Sequence, residues 1–124
     1  MFAFISQYRT LREILVDHKL AALGDAYVNL IYSLALSERE GQPVGKKVNS
    51  HVLAAALKKA EMRDFLPRRT DRHSQADAAE AVIVYAWVQD LMSMQEGVNL
   101  LGQEEDVIDA FCSLLCTVRR RLKL

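Results

Sequence analysis

The stretch from residue 78 to residue 88 constrains the fold most, because it is apolar on nearly every side of a helix and carries a single charge, Glu80. A helix of this kind has to be surrounded by other elements, so it predicts the central helix of a bundle. Apolar residues recur at helical spacing through the rest of the chain, and no long segment alternates as a half-buried strand does. The sequence therefore predicts an all-α helical bundle that forms one domain over residues 1–124.

The limits of the helices follow from the same spacing and from the residues that begin or end helices. We predict a first helix through Ile5, Tyr8, Leu11 and Leu15, a second over about residues 20–40, and a third that begins at Asn49 or Ser50. The second helix should end at Gly41, and a short turn should form at residues 63–65. The central helix is predicted over about residues 75–96 with Ser74 as its N-cap. Gly97 and Gly102 should bracket the connection to a last helix over residues 107–122.

The cysteines and histidines do not predict a disulfide or a structural metal site. Cys112 and Cys116 are four residues apart and share one helical face, so we expect two reduced thiols in the core. His18, His51 and His73 are scattered along the sequence. The longest uninterrupted apolar run, residues 81–88, is too short to span a bilayer. Because no N-terminal signal segment is visible either, we expect a cytoplasmic protein without a membrane anchor.

The net charge is zero, but the charges are unevenly distributed along the chain. Residues 46–73 contain eight Lys or Arg and three Asp or Glu, whereas residues 74–110 contain eight acids and no Lys or Arg. This distribution can place a basic surface beside an acidic pocket, as a metal-dependent nuclease requires. The alternative is that these charges are solvated helix faces. The basic C-terminal run, residues 119–123, is explained equally by the helix dipole or by RNA contact.

Three carboxylates lie in helical segments that are otherwise apolar. Asp25 lies in the second predicted helix, and Asp77 and Glu80 are three residues apart near the start of the central helix, on one face. A carboxylate in such surroundings costs several kcal/mol unless a cation or strong hydrogen bonds compensate it. Converging carboxylates suit Mg²⁺, which prefers oxygen ligands. The alternative is that Asp77 favours a helix N-terminus and Glu80 is solvated.

Two motifs around these acids resemble those of the ribonuclease III family. LGDAYV at residues 23–28 resembles the family signature, and ADAAEAVI at residues 76–83 is similar to its second acidic motif. Between them, residues 48–66 are similar to the connecting helix that precedes a basic loop. The resemblance covers roughly residues 4–95, and a compact, archaeal-type branch without a double-stranded RNA-binding domain is the most similar. It implies a ribonuclease III-like endonuclease domain.

The resemblance also implies an activity and roles for individual residues. The family cleaves double-stranded RNA as a homodimer, and its carboxylates hold Mg²⁺, with Mn²⁺ as a possible substitute. By position, Asp25 matches the signature Asp, while Asp77 and Glu80 match the second motif, in which the Glu is the most critical metal ligand. These three residues are therefore the expected catalytic and metal-binding residues. Phosphate contacts are expected from the basic residues between the motifs, namely Lys46, Lys47, Lys58, Arg68, Arg69 and Arg72.

Four positions depart from the family pattern. Ala21 replaces a Glu, Ala22 replaces an aromatic residue that plugs into the partner subunit, and Val84 replaces a Gly. Asn29 replaces an acid and keeps an oxygen on the same face, where it can support a metal ligand without contributing charge. The sequence leaves open whether the chain is an endoribonuclease or a catalytically weakened or inactive member that binds structured RNA or a protein partner. A helical module unrelated to nucleases would keep Asp25 more than about 10 Å from Asp77 and Glu80, too far to share one ion.

Overall fold

Residues 2–5 and 7–124 are described by a computed structural model. Within them the chain forms helices and no strand, in the order α1 Leu11–Leu15, α2 His18–Glu40, α3 Ser50–Lys59, a short 3₁₀ turn Arg63–Phe65, α4 Arg72–Val88, α5 Met94–Gly102 and α6 Val107–Arg121. The predicted all-α architecture is confirmed.

Helix α4 is the centre of the bundle, as its composition predicts. It packs against α1, α2, α3 and α6, and its longest contact is with α2. Ten of its residues are buried, and they lie on all sides of the helix. Helix α5 covers the gap between α2 and α6. The two acidic motifs therefore lie on the two helices that cross at the core.

The end of α2 at Gly41 and the start of α3 at Asn49 agree with the predicted signals, whereas the N-caps of α2 and α6, Asp17 and Asp106, were not predicted. The Asp17 side chain caps α2 by accepting the Leu20 N–H, and α2 ends at Gly41, whose φ of 72° suits a residue without Cβ. The Asn49 side chain caps α3. The Asp106 side chain caps α6 by accepting the N–H groups of Ile108 and Asp109.

The first helix is shorter than predicted. It begins at Leu11, because Thr10 is an N-cap whose side chain accepts the Glu13 N–H. Ile5 and Tyr8 lie before it and reach the core from non-helical backbone. The Tyr8 ring packs edge-on against Tyr85, with 5.3 Å between the ring centroids. Apolar spacing therefore identified core contacts here but was wrong about helical backbone.

The predicted limits of the central helix are also wrong at both ends. Asp71, not Ser74, is the N-cap, and its carboxylate accepts the Ser74 N–H at 2.8 Å. The helix ends at Val88 instead of continuing to residue 96, and Asp90 then adopts a positive φ of 59°. A capping box formed by Ser93 and Glu96 starts the separate helix α5. Gly97 and Gly102 consequently lie within α5 rather than at the two ends of a connection.

Helix α2 is long and apolar enough to cross a bilayer on length and composition alone. This is weak evidence for a membrane segment, because the core helix of a soluble protein passes the same test. Here α2 carries Asp25 and packs along α4.

Candidate active site

Helices α2 and α4 make their closest approach at Gly24 and Glu80. A Cβ built on Gly24 would lie 2.2 Å from the Glu80 carbonyl oxygen and 2.5 Å from its carbonyl carbon. No side chain fits in that space, and both atoms belong to backbone that cannot move aside easily. The glycine of the LGDA motif therefore fixes the crossing and brings Asp25, the next residue, beside Glu80.

A cleft of about 440 Å³ opens at this crossing. The three predicted carboxylates, Asp25, Asp77 and Glu80, all line it, together with Ala21. Its remaining walls come from α2, the segment before α3, the first turns of α3, and α4, through His18, Ala22, Lys47, Val48, Ser50, Leu53, His73 and Ala76. The fold thus gathers into one cleft the acids that are separated by half the sequence.

Glu80 is the most buried of the three acids, with 7% of its surface exposed. Burial raises the pKa of the Glu80 carboxyl to about 8, and a hydrogen bond with Asp25 together with the charges of Asp25 and Asp77 acts in the same direction. The Asp25 and Glu80 side chains are therefore within hydrogen-bonding distance of each other. Lys47 acts in the opposite direction and lowers the pKa of Glu80.

The donor atoms of the cleft fit a hard divalent cation. Carboxylate oxygens are the ligands that Mg²⁺ and Mn²⁺ prefer, and Asp25, Asp77 and Glu80 all line the cleft. Across residues 2–5 and 7–124, however, no three His, Cys, Asp or Glu side chains are drawn together as tightly as a metal site requires. The Asp77 carboxylate instead faces His18, with 3.9 Å between Asp77 Oδ2 and His18 Nδ1. Asp25 and Glu80 are the close pair, and Asp77 lies toward the rim.

Asn29 occupies the place of the acid found in the resembling family and connects two parts of the cleft. Its Nδ2 donates to Asp25 Oδ1 at 3.1 Å, and its Oδ1 accepts the backbone N–H of Val48 at 2.7 Å. Because the side chain both donates and accepts, it holds the Asp25 carboxylate and the segment before α3 in one arrangement.

The predicted basic contacts divide into two groups. Lys47 lines the carboxylate cleft, and Lys46 and Arg72 are exposed beside residues that line it. Arg68 and Arg69 are exposed in the turn that leads to α4. Lys58 lines a different cleft, together with Arg63, Phe65 and Arg119.

Sequence reasoning missed two histidines at the site. His18 and His73 are far apart in the sequence, yet both line the carboxylate cleft. Each lies in the first turn of a helix, α2 and α4 respectively, and the crossing of these helices brings the two first turns together. The only sequence signal for this proximity is a shared spacing: His18 lies seven residues before Asp25, and His73 lies seven residues before Glu80.

The C-terminal arginines make structural contacts. Arg119 Nη1 donates to the Ala60 and Glu61 carbonyl oxygens, and its guanidinium lies 5.2 Å from the centroid of the Phe65 ring. Arg121 forms two hydrogen bonds with the Glu96 carboxylate, at 3.0 and 2.8 Å, and one with the Leu91 carbonyl. These contacts favour the structural explanation of the basic run over RNA contact.

A comparison with family models agrees with the motifs and the fold. A model described as Ribonuclease III matches residues 18–123, which include both acidic motifs and helices α2 to α6. The chain belongs to the ribonuclease III family. No curated protein matches it closely enough to count as a relative. Family membership supports a ribonuclease III-like function and excludes a chance resemblance.

Proposed function

We propose that the protein is a divalent-metal-dependent endoribonuclease that hydrolyses phosphodiester bonds of double-stranded or structured RNA. The observation that carries this proposal is the pairing of Asp25 with the buried Glu80 at the α2–α4 crossing. Glu80 is buried beside the exposed Asp25, and two neighbouring carboxylates repel each other unless a proton or a cation lies between them. A fold that fixes this pair through an obligatory glycine favours a cation-binding role.

Each acid has a distinct role in this proposal. Asp25 and Glu80 would bind Mg²⁺ or Mn²⁺ with Glu80 deprotonated, and Asp77 would join them from the rim. When bound, the ion would activate a water molecule and neutralise charge that builds on the scissile phosphate. Asn29 holds the Asp25 carboxylate in orientation through the hydrogen bond from its Nδ2.

RNA would approach over the basic residues that border the cleft. Lys46, Arg68, Arg69 and Arg72 are all exposed, and they lie in the segments that lead into α3 and α4. Duplex RNA is held through phosphates and 2′-hydroxyls, so such contacts give affinity that falls as salt rises. Lys58 lies in the other cleft and is not included in this surface.

We also propose that two copies associate through α2. Leu23, Leu30 and Leu34 are exposed and lie along one face of that helix, and exposed Phe4 lines a groove with Leu23. Apolar residues exposed in a continuous strip are typical of a surface that another protein covers. Ala22 replaces the aromatic residue that usually inserts into the partner subunit, so association of the two copies would depend on this apolar strip. Sedimentation of a monomer at micromolar concentration would contradict the proposal.

The activity is tested by incubating the protein with a short RNA duplex in Mg²⁺, in Mn²⁺ and in EDTA. We expect cleavage in either ion, none in EDTA, and a loss of at least about 100-fold in Glu80→Gln, which keeps the shape of the side chain but removes a metal ligand. A wild-type protein indistinguishable from Glu80→Gln in Mn²⁺ would contradict the proposal.

A second function is favoured by Ala21. This residue lines the cleft where the family usually has a Glu, so the site is one carboxylate short. A catalytically inactive member would bind structured RNA or a protein partner without cleaving it. In that case RNA retention would be sensitive to salt, and Glu80→Gln would leave it intact.

A further inference from the structure

The segment that precedes α3 is fixed against α2 on both sides of Lys47. On one side, Ser33 Oγ accepts the Lys46 N–H at 2.9 Å and donates to the Lys46 carbonyl at 3.0 Å. On the other side, Asn29 Oδ1 accepts the Val48 N–H at 2.7 Å. Ser33 and Asn29 are one helical turn apart on α2, so they form a two-point clamp. The backbone of Lys47 therefore has little freedom to move away from the cleft.

The same clamp reaches the carboxylates. Asn29 Nδ2 donates to Asp25 Oδ1, so one side chain joins Asp25 to the segment that carries Lys47. An aspartate at position 29 could not make both bonds, because a carboxylate has no N–H to donate, and it would add a like charge one turn from Asp25. The amide is the group that makes this connection possible.

The Lys47 side chain lines the cleft together with Asp25, Asp77 and Glu80. Ion pairs within the described part of the chain join His18 to Asp77, Lys59 to Asp109 and Arg121 to Glu96. Lys47 belongs to none of these pairs. Its ammonium is consequently a positive charge held at the site without a direct carboxylate partner.

The position of Lys47 suggests its role. A cation that is fixed beside a carboxylate cleft and has no carboxylate partner is available to an anionic substrate. We propose that Lys47 is a catalytic residue that binds a non-bridging oxygen of the scissile phosphate, and that Asn29 is its positioning residue. Lys47 forms no covalent bond in this role.

This inference rests on the proposed function, so its test separates the two. The variants are Lys47→Ala, Lys47→Arg and a charge-matched control, Lys123→Ala, whose exposed side chain lies beyond the end of α6. Three quantities are measured: single-turnover cleavage of a duplex in Mg²⁺, duplex affinity in Ca²⁺, and the affinity of Mn²⁺ without RNA by electron paramagnetic resonance.

Lys47→Ala should cleave at least about 100-fold more slowly than wild type, as loss of a group that stabilises transition-state charge does. The same variant should bind Mn²⁺ several-fold more tightly, because a repelling cation has been removed. Lys47→Arg should recover part of the cleavage, and Lys123→Ala should match wild type in all three measurements. Effects of opposite sign on cleavage and on Mn²⁺ affinity distinguish this role from a structural one.

Asn29 is tested by a double-mutant cycle. If Asn29 positions Lys47, the loss of cleavage caused by Lys47→Ala should be much smaller in an Asn29→Ala background than in wild type. Additive effects in the cycle would overturn the positioning role.

The outcomes separate the two proposals. If wild-type protein cleaves no duplex in Mg²⁺ or Mn²⁺, the proposed function fails, and the catalytic role of Lys47 fails with it. If wild type cleaves but Lys47→Ala behaves like Lys123→Ala in rate, duplex affinity and Mn²⁺ affinity, the proposed function stands and the inference about Lys47 is overturned.

Discussion

The carboxylate cleft and the C-terminal end of α6 are both charged, but they use charge differently. At the end of α6, Arg119 binds two backbone carbonyls and Arg121 binds Glu96, so these cations stabilise the packing of α6 on its neighbours. In the cleft, Asp25 and Glu80 lie together, and no salt bridge joins either of them to a cation among residues 2–5 and 7–124. The comparison shows two uses of charge. Charged side chains that are paired within the fold stabilise it, whereas neighbouring side chains of like charge, such as Asp25 and Glu80, are available to bind a ligand of opposite charge.

The crossing itself is the feature whose disruption should have the largest effect. Gly24→Ala places a Cβ against the Glu80 carbonyl, so α2 and α4 must separate. We expect the free energy of unfolding to fall by roughly 1–3 kcal/mol or more, as it does when a core is overpacked. Cleavage should also be lost, because Asp25 moves away from Glu80. Chemical denaturation and the duplex assay measure the two effects.

Gly97→Ala is the matched control. Its added Cβ would lie 3.5 Å from Ile31 Cδ1, an ordinary contact, and Gly97 lies inside α5. Replacing this glycine should be neutral or stabilising by up to about 1 kcal/mol. Equal destabilisation by the two substitutions would show that the crossing has no special requirement for Gly24.

The opposed carboxylates should make stability depend on pH. The pKa of Glu80 is raised from 4.5 to about 8, so the folded state holds a proton that the unfolded state releases between these values. Without metal, the free energy of unfolding should therefore fall as pH rises from about 4.5 to about 8, by at most about 1.4 kcal/mol per pH unit for one proton. Denaturation in EDTA from pH 5 to 9 measures this slope.

Glu80→Gln should remove most of that slope, because glutamine does not titrate. Excess Mg²⁺ should also flatten it in wild type, since binding of the ion favours the deprotonated Glu80 carboxylate. A wild-type slope that neither glutamine nor Mg²⁺ changes would show that other groups cause the pH dependence.

The two sets of cations should differ in RNA binding. Arg72 is exposed in the turn of α4 that carries His73 and Asp77 to the cleft. Arg72→Ala should weaken duplex binding and reduce the salt slope of log affinity by about one, as loss of one phosphate contact does. Arg121→Ala should leave that slope unchanged. If the salt slope of log affinity were equal in the two variants, the two regions would not differ in RNA binding.

The smallest effect is expected on the stability of α6. Arg121→Ala loses an ion pair with Glu96 and a hydrogen bond to the Leu91 carbonyl, so it should lower the melting temperature slightly. Arg120→Ala removes the same charge but only a 3.4 Å hydrogen bond to Thr117, so it should cost less. Thermal unfolding compares the two variants, and a larger cost for Arg120→Ala would contradict the structural role of Arg121.

Much of the fold could be predicted from local patterns. The apolar circumference of residues 78–88 identified the central helix, and Gly41 marked the end of α2 correctly. The break after Val88 was missed because apolar residues continue past it, while the positive φ of Asp90 and the Ser93 capping box set the real boundary. Apolar spacing reports burial, whereas helix ends depend on caps that compete with it.

The candidate site was predicted only in part. Motifs identified Asp25, Asp77 and Glu80, because their types and spacing are visible in the sequence. The placement of His18, His73 and Lys47 in the same cleft depends on how α2 crosses α4 and on the Asn29 clamp. Such proximity is a property of tertiary packing, which no local pattern encodes.

The most direct test of the central claim is a crystal soaked in Mn²⁺, located by its anomalous signal. We expect an ion between the Asp25 and Glu80 carboxylates, with ligand distances of about 2.1 Å and with the Asp77 side chain turned toward the ion. The ion should be absent from crystals of Glu80→Gln. A wild-type crystal with no ion in the cleft at saturating Mn²⁺, or with the ion bound elsewhere, would contradict the account.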